Sequence, residues 1–555
     1  MIDQHSPSRR QFFRRSGALF AGMVAAPRIV RGMARYDFDV PASPVARRRP
    51  ATAWMPDLPA AEELRGLALV AVDAARTFGA EFADVRIGVQ RACDGTTSRL
   101  EFGYGIRART GTAWAFEHGN VMSRDAMVRS ARAAAAGATV AGRVNATLGW
   151  TAPEGFAHVP AATGTWDCPV DIDPFSVPLN EFDAFVARAE AAVRTTAPFF
   201  WWAQAQASWT EETRVVASTE GTLITQTFTR GGPNFHVESS LWGQQGIEIP
   251  ITPEGGQSGG FELVLRPEWE RIVFERLEPL AVLRELPSKS FNDVGRFPVV
   301  LDGEAFASLV SHTLNFALDG DRVMGTESDA SGAGFVRPFE MPTNTAAYDL
   351  APALTIMSDR ATPSSVAAQW DDEGVATSST TLIDRGRVTD FHVTRESAPW
   401  LSPWYQRRQR TPRLAGRTTA PTAASLPMAN GGQLGVTPAT SRTSIADLSR
   451  DMTHGFWVVG AKVNPSSNLS TGMLRPRFAV EIRRGVPVAL IHDMWMSFST
   501  LAILKSGLVM LGDASTLHTQ MGEMEKGIPW QTMRNPTTAP AALCKQIDVI
   551  QLPKA

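Results

Sequence analysis

The chain has 555 residues, with 54 Lys and Arg against 56 Asp and Glu and a formal net charge of −2. At about 150 residues per domain that length suggests two to four domains, and 44% hydrophobic with 20% charged residues excludes wholesale disorder. The near-neutral balance removes the basic footprint of a nucleic-acid binder, and no apolar run approaches the ~20 residues that span a bilayer, so neither nucleic acid nor stable membrane insertion is expected.

Residues 8–14 read Ser8-Arg9-Arg10-Gln11-Phe12-Phe13-Arg14, and a mildly apolar stretch runs from Gly17 to Ala26. A basic start, a short weak apolar region and small residues near Val24-Ala25-Ala26 make an export signal, and the paired arginines resemble the twin-arginine type. A periplasmic location is therefore expected, with residues 1–50 as signal and linker.

From Ala60 to Phe78 apolar residues recur at helical spacing (Leu64, Leu67, Ala68, Ala71, Val72, Ala75), and Gly79 stops the helix. Ala83–Gln90 alternates as a strand, and Ser98–Phe102, Gly105–Ala108 and Ala113–Phe116 follow between glycine turns. Ser123–Ala136 is Ala-rich and helical with Ser123 as N-cap, and 137–175 reads as a loop. Glu181–Arg194 is a helix. Strand pairs are expected around Ser218–Gly221 and around Gly231-Gly232, then an amphipathic segment over Arg266–Leu283. The second half opens with the strand Phe297–Leu301 and a helix from Gly303 to Leu318. From Ile356 onward strands predominate: Ser364–Gln369, Thr377–Ile383, Val388–Thr394, Phe456–Ala461, Phe478–Arg483 and Pro487–His492. Residues 396–450, dense in Arg, Pro, Thr and Ala, read as a long loop. The class is α+β.

Gly256-Gln257-Ser258-Gly259-Gly260 has the letters of a nucleophile elbow, which needs a strand entering and a helix leaving the serine. Phe261–Leu265 reads as a second strand, so a Gly-rich hairpin or ligand-contacting loop is the better reading. Asp371-Asp372-Glu373-Gly374 could bind a hard cation or form a plain acidic turn. His312 lies on the helix before Asp319-Gly320-Asp321, but position 316 is Phe, so that helix offers one imidazole and not a metal-binding pair. The two glycine segments and the acidic turn are expected to line one interior cavity that holds peptide backbone, with Gly256, Gly259, Asp371, Asp372 and Glu373 as its contacts. Cys93, Cys168 and Cys544 are too scattered for a disulfide framework.

In order along the chain, Gly79–Arg86, Gly105–Arg109, Gly111–Phe116, Trp370–Gly374, Thr381–Val388, Gly472 with Phe478–Ile482, and Glu525–Pro529 resemble the TldD/PmbA family, the paired proteins once called modulators of DNA gyrase. The resemblance covers about 60–552. It implies an N-terminal α/β-sheet domain with a central α+β region (51–290) and a β-rich C-terminal domain (291–555). It also implies dimers, homomeric or joining an active zinc peptidase of the TldD type to a TldE-type partner without metal, that act on peptides or unfolded polypeptide. The active subunits use an H-E-x-x-x-H helix and a cysteine. Matching Asp319-Gly320-Asp321 and Lys526-Gly527-x-Pro529 to the family places Ser311, His312, Phe316 and Met524 at the four site positions. Hydroxyl, phenyl and thioether are poor substitutes for imidazole and thiolate. The expectation is a chain without zinc, a TldE-like partner or peptide-binding subunit, in which His312, Asp319 and Asp321 are weak candidates for metal. The alternative is an active metallopeptidase with a rearranged site.

Overall fold

The computed structural model describes residues 58–550, apart from 95–97, 150–154, 197–201, 239–246, 250–256, 267, 284, 292, 326, 328–333, 337–348, 362–363 and 528–529. The α+β class holds. Helix α1 (Ala61–Thr77) precedes the hairpin strands β1 (Phe82–Cys93), β2 (Ser98–Thr110) and β3 (Ala113–Gly119), and then come α2 (Arg124–Thr147), β4 (Thr163–Asp167), α3 (Leu179–Thr196), β5 (Trp202–Ser218) and β6 (Leu223–Glu238). These strands form one sheet in the order β3-β2-β1-β5-β6-β4, with the short β7 (Ile247–Ile249) and β8 (Gln257–Ser258) added to β6.

Alternation along this sheet divides it into two unlike faces, because successive side chains point to opposite sides. Val85, Ile87 and Val89 of β1, with Ile106 of β2 and Val215 and Ala217 of β5, bury against Leu64, Ala68 and Ala71 of α1 and Met127, Ala131 and Ala134 of α2. Asp84, Arg86 and Gly88 point the other way. The register aligns them with Arg107, Gly105 and Gly103 of β2, and Gly88 with Arg214 of β5. This charged face packs on the C-terminal half.

After α4 (Glu268–Leu283), the second half contains β9 (Ser288–Ser290), β10 (Gly295–Leu301), α5 (Gly303–Val310), a π turn (Ser311–Asn315) and α6 (Gly320–Met324). It continues with β11 (Ile356–Asp359), β12 (Thr380–Asp384), β13 (Arg387–Val388), α7 (Ser397–Gln406), β14 (Thr418–Thr419), β15 (Met428–Ala429), β16 (Gln433–Val436), β17 (His454–Pro465) and β18 (Thr471–Arg483). The last strands are β19 (Val486–His492), β20 (Trp495–Ser499), β21 (Leu508–Leu511), β22 (His518–Lys526), β23 (Gln531–Ala539) and β24 (Ala542–Ile550). One sheet runs β17-β10-β24-β20-β18-β19-β9 and another β13-β12-β11-β16-β23-β22. A second apolar core joins the halves. Phe182, Trp209, Phe261 and Trp269 from the front share it with Val300, Phe478, Val480 and Leu490 from the back.

Several local expectations are corrected. Helix α2 runs on to Thr147 and β4 lies inside the expected 137–175 loop, because Ala134, Ala135 and Ala138 continue its buried stripe. Gly231 and Gly232 do not turn the chain. They lie inside β6, where a Cβ on Gly231 would stand 2.4 Å from the Trp209 ring. Glu262–Leu265 is a helical turn, not a strand, and the Glu262 carboxylate holds it by accepting from the Gly260 and Ile172 amides. No strand forms over 364–369, and of 388–394 only Val388 is in one. The expected loop 396–450 carries α7, β14, β15 and β16, and its stretches 415–420 and 429–432 are buried. The three cysteines are buried thiols. No helix of the described residues is long and apolar enough to cross a membrane.

Candidate functional site

The acidic turn 371–374 plugs into the charged face of the N-terminal sheet. Asp371 shapes the turn: its Oδ1 accepts from the Glu373 and Val375 amides, both at 2.9 Å, and its Oδ2 from the Thr418 amide at 3.0 Å. Gly374 closes it at φ +76°, where a Cβ would meet Thr222 at 2.8 Å. Asp372 accepts from Arg214 Nη1 at 2.8 Å and from the Ala420 amide at 2.6 Å, while Arg214 also grips Glu212. Glu373 accepts from Arg107 Nη2 at 2.9 Å and from the Thr418 hydroxyl at 2.8 Å. Arg107 reaches on to Asp84, which Arg86 also contacts at 2.7 Å.

All three acids of the turn are nearly inaccessible. Burial opposes the charge on Asp84, but Arg107 and Arg86 outweigh it and hold that carboxyl below its usual range. Burial, then Glu373, pushes Asp371 up. The carboxylates that could have held a hard cation thus face guanidinium groups and amides. Asp372 and Glu373 tie the two halves together, and Asp371 holds the turn that presents them.

Segment 417–431 leaves this turn and crosses the sheet where side chains are missing. A Cβ on Gly88 would stand 2.8 Å from the Ala423 Cβ, one on Gly103 3.0 Å from the Ala424 Cβ, and one on Gly105 2.7 Å from the Ala423 carbonyl oxygen. The segment ends at a second buried polar cluster, below α5.

That cluster contains the remaining predicted positions. Asp302 caps α5 by accepting from the Ala305 amide at 2.7 Å. The helix widens into the π turn at Ser311–Asn315. A turn closed by i→i+5 hydrogen bonds brings residues five apart onto one face, whereas in an α-helix they stand ~140° apart. Ser311 and Phe316 are five apart, and both are fully buried. They meet the inner face of β22, where Gly522, Met524 and Lys526 alternate as buried residues. Gly522 leaves room for Ser311, since a Cβ there would overlap its hydroxyl, and Lys526 Nζ lies 6.0 Å from the centre of the Phe316 ring. Met524, opposite Met533, belongs to the apolar core. His312 donates from Nδ1 to the Ser308 carbonyl at 2.8 Å, and burial lowers its pKa.

Asp319 and Asp321 have separate partners. Lys526 Nζ donates to Asp319 Oδ2 at 2.6 Å and to the Ala429 carbonyl, and it lies 3.0 Å from Glu327 Oε2. Burial works against this ammonium, and Asp319 and Glu327 together keep it charged. Asp321 accepts from the Thr394 hydroxyl at 2.8 Å and from the Ala429 amide at 3.3 Å. His392, entirely buried, donates from Nε2 to Asn315 Oδ1 at 3.0 Å. Among the described residues no three His, Cys, Asp or Glu side chains converge as a metal-ligand group.

Gly256 lies outside the described residues. Gly259 donates its amide to the Thr229 carbonyl at 3.1 Å and has φ +141°, and Ser258 pairs with Arg230 of β6 and donates its hydroxyl to the Ser364 carbonyl. A helical turn does follow Ser258, yet its hydroxyl is bonded to main chain and to no histidine. The glycine segment and the acidic turn are neighbours through β6, where the Gln226 side chain accepts from the Trp370 amide at 3.0 Å.

Residues 294–551 match the family described as the PmbA/TldA metallopeptidase C-terminal domain. The C-terminal half of the chain is thus of the PmbA/TldA type. The chain's fold is similar to that of TldE from Thermococcus kodakarensis, with 14% identity over 88% of this chain and 100% of that one and a TM-score of 0.58. Two proteins described as proposed modulators of DNA gyrase are comparably similar at 14% identity and 88% of this chain. One is from Bacteroides thetaiotaomicron (99% of that chain, TM-score 0.57) and one from Thermotoga maritima (100%, 0.56). No curated protein matches the chain.

Sequence reasoning missed Arg107, Arg214, Glu327 and the role of Lys526. A signal for the arginines was present, because charges alternate with aliphatic residues in β1, β2 and β5 on a face too long to be solvated by chance. None was present for Lys526, whose partners lie far off in the chain.

Proposed function

We propose that this chain is a non-catalytic, TldE-like member of the family that holds peptide or unfolded polypeptide and works as a dimer with a zinc-bearing TldD-type subunit, exported by the twin-arginine route. The observation that carries the reading is the π turn. The family's H-E-x-x-x-H motif has its two histidines five apart, and a π turn is the backbone that aims such residues at one ion. Here a π turn spans Ser311–Asn315, and the resemblance puts Ser311, Phe316 and Met524 at the ligand positions. Hydrolytic zinc needs about three N, O or S ligands and an open position for water. A buried hydroxyl, a phenyl ring and a core thioether do not supply them, so the residues present do not fit zinc, and no hydrolytic step is assigned to this chain.

What this chain's own residues offer is a rigid, closed frame. Backbone-lined glycine surfaces and buried charge set two halves at fixed separation, and the likeness to a TldE structure supports a partner role. Metal analysis of the purified mature protein tests the reading: well under one zinc per chain and no peptide cleavage alone are expected, with cleavage when a TldD-type subunit is added. One tightly held zinc per chain, with chelator-sensitive cleavage lost in His312→Ala, would establish the rearranged active site instead. For export, Arg9→Lys with Arg10→Lys should keep the protein out of the periplasmic fraction. Unchanged fractionation would remove that part.

A further inference from the structure

Two guanidinium groups near the acidic turn have no counterpart. Arg360, just after β11, is 6% exposed, and Arg230 lies on the charged face of β6. Among the described residues neither makes a salt bridge or a side-chain hydrogen bond, and the Nε of each is buried without an acceptor. Arg230 rests on the Phe228 ring at 4.5 Å, and Gly432 lies so close that a Cβ would stand 2.5 Å from Arg360 Cγ. The two arginines belong to one locality. Ser258, the cross-strand partner of Arg230, is hydrogen-bonded to Ser364, in the loop that Arg360 begins. In that loop the Ser365 hydroxyl is also buried without a partner.

The acids within electrostatic reach are already engaged. Asp372 is held by Arg214 and the Ala420 amide, Asp371 by three amides, and Glu212 by Arg214. A buried cation without a partner is costly, so this arrangement calls for an anion from outside. Planar forks of N–H groups match a carboxylate in a bidentate fashion.

We propose that Arg230 and Arg360 form a binding site for a carboxylate, namely the C-terminal carboxylate of a polypeptide seated between the two halves. The choice of a peptide as its bearer rests on the function proposed above, whereas the anion site rests on the arginines alone.

The test uses the full-length protein, one unstructured hexapeptide with a free C-terminus and the same peptide amidated. The free acid should bind wild type at least about tenfold more tightly, as expected of charge-assisted hydrogen bonds, and the preference should vanish in Arg360→Gln and in Arg230→Gln. Equal affinity for both peptides in wild type would overturn the site while leaving peptide binding intact. If neither peptide binds, the peptide reading falls, and melting in acetate decides the site. A rise in melting temperature in acetate, absent in both variants, would uphold a carboxylate site. No rise, or a rise with phosphate alone at matched ionic strength, would overturn it. Arg360→Gln is expected to fold, because it removes an unpaired buried charge. Should it not, Arg230→Gln, on the more open side, carries the same comparison.

Discussion

At the scale of single residues, the clearest consequence concerns Glu396. It stands between the two polar clusters, and burial, then Asp321, pushes its carboxyl up to about 7, with Arg107 opposing. A folded pKa above the unfolded ~4.3 means that the native state binds more protons between those values. Stability linked to Glu396 is therefore complete below about pH 4 and is lost as pH rises toward 7. Glu396→Gln should match wild type near pH 4.5 and exceed it by roughly 1–3 kcal/mol at pH 8, read from urea unfolding at both pH values. A constant difference across pH would disprove the assignment. Residues of this kind were only half legible in the sequence. Asp371, Asp372 and Glu373 announced a polar turn, but whether such a turn meets water, a cation or arginine depends on strands hundreds of residues away. Ser311, Phe316 and Met524 were legible only because neighbouring letters fixed their register.

At the scale of elements, periodicity carried the regular parts. The stripe Leu64, Ala68, Ala71 and Ala75 gave α1 to within a residue at each end, and alternation gave β1. It failed where a glycine served a neighbour and not its own backbone, as Gly231 does for Trp209, and where an irregular segment such as 415–432 is mostly buried through main-chain hydrogen bonds that composition does not record. The π turn was also invisible, since no residue preference separates it from an α turn. The glycines give a paired test. Gly105→Ala places a methyl group against the Ala423 carbonyl, the Phe116 ring and Arg86, and should cost about 1–3 kcal/mol by overpacking. Gly66→Ala, exposed within α1 with nothing within 4 Å, should gain about 0.5–1 kcal/mol from helix propensity. Chemical denaturation of both variants checks the contrast, and equal effects would contradict the placement of segment 417–431.

For the whole molecule, the halves are joined by a shared apolar core and by buried ion pairs, so one cooperative transition is expected for the described body. Asp372→Ala removes the acceptor shared by Arg214 and the Ala420 amide. Breaking a buried pair in this way costs about 3–5 kcal/mol, and here the loss falls on the junction. Calorimetry should show a lower midpoint and a calorimetric enthalpy exceeding the van't Hoff value, the sign of halves that melt apart. A lowered midpoint with the two enthalpies still equal would mean that the apolar core alone couples them.

The charged face of the N-terminal sheet also sets a timetable. Arg107 donates to Glu373, 266 residues further along the chain. At about 5–20 residues per second, a ribosome needs roughly 13–50 s to deliver that partner. Throughout that interval the nascent sheet shows water a face of arginines, acids and glycines, while its aliphatic face is already covered by two helices made at the same time. The half-made protein waits with its sticky side hidden and its soluble side out, and the later-made half then adds Asp372 and Glu373 to complete the ion pairs of that face.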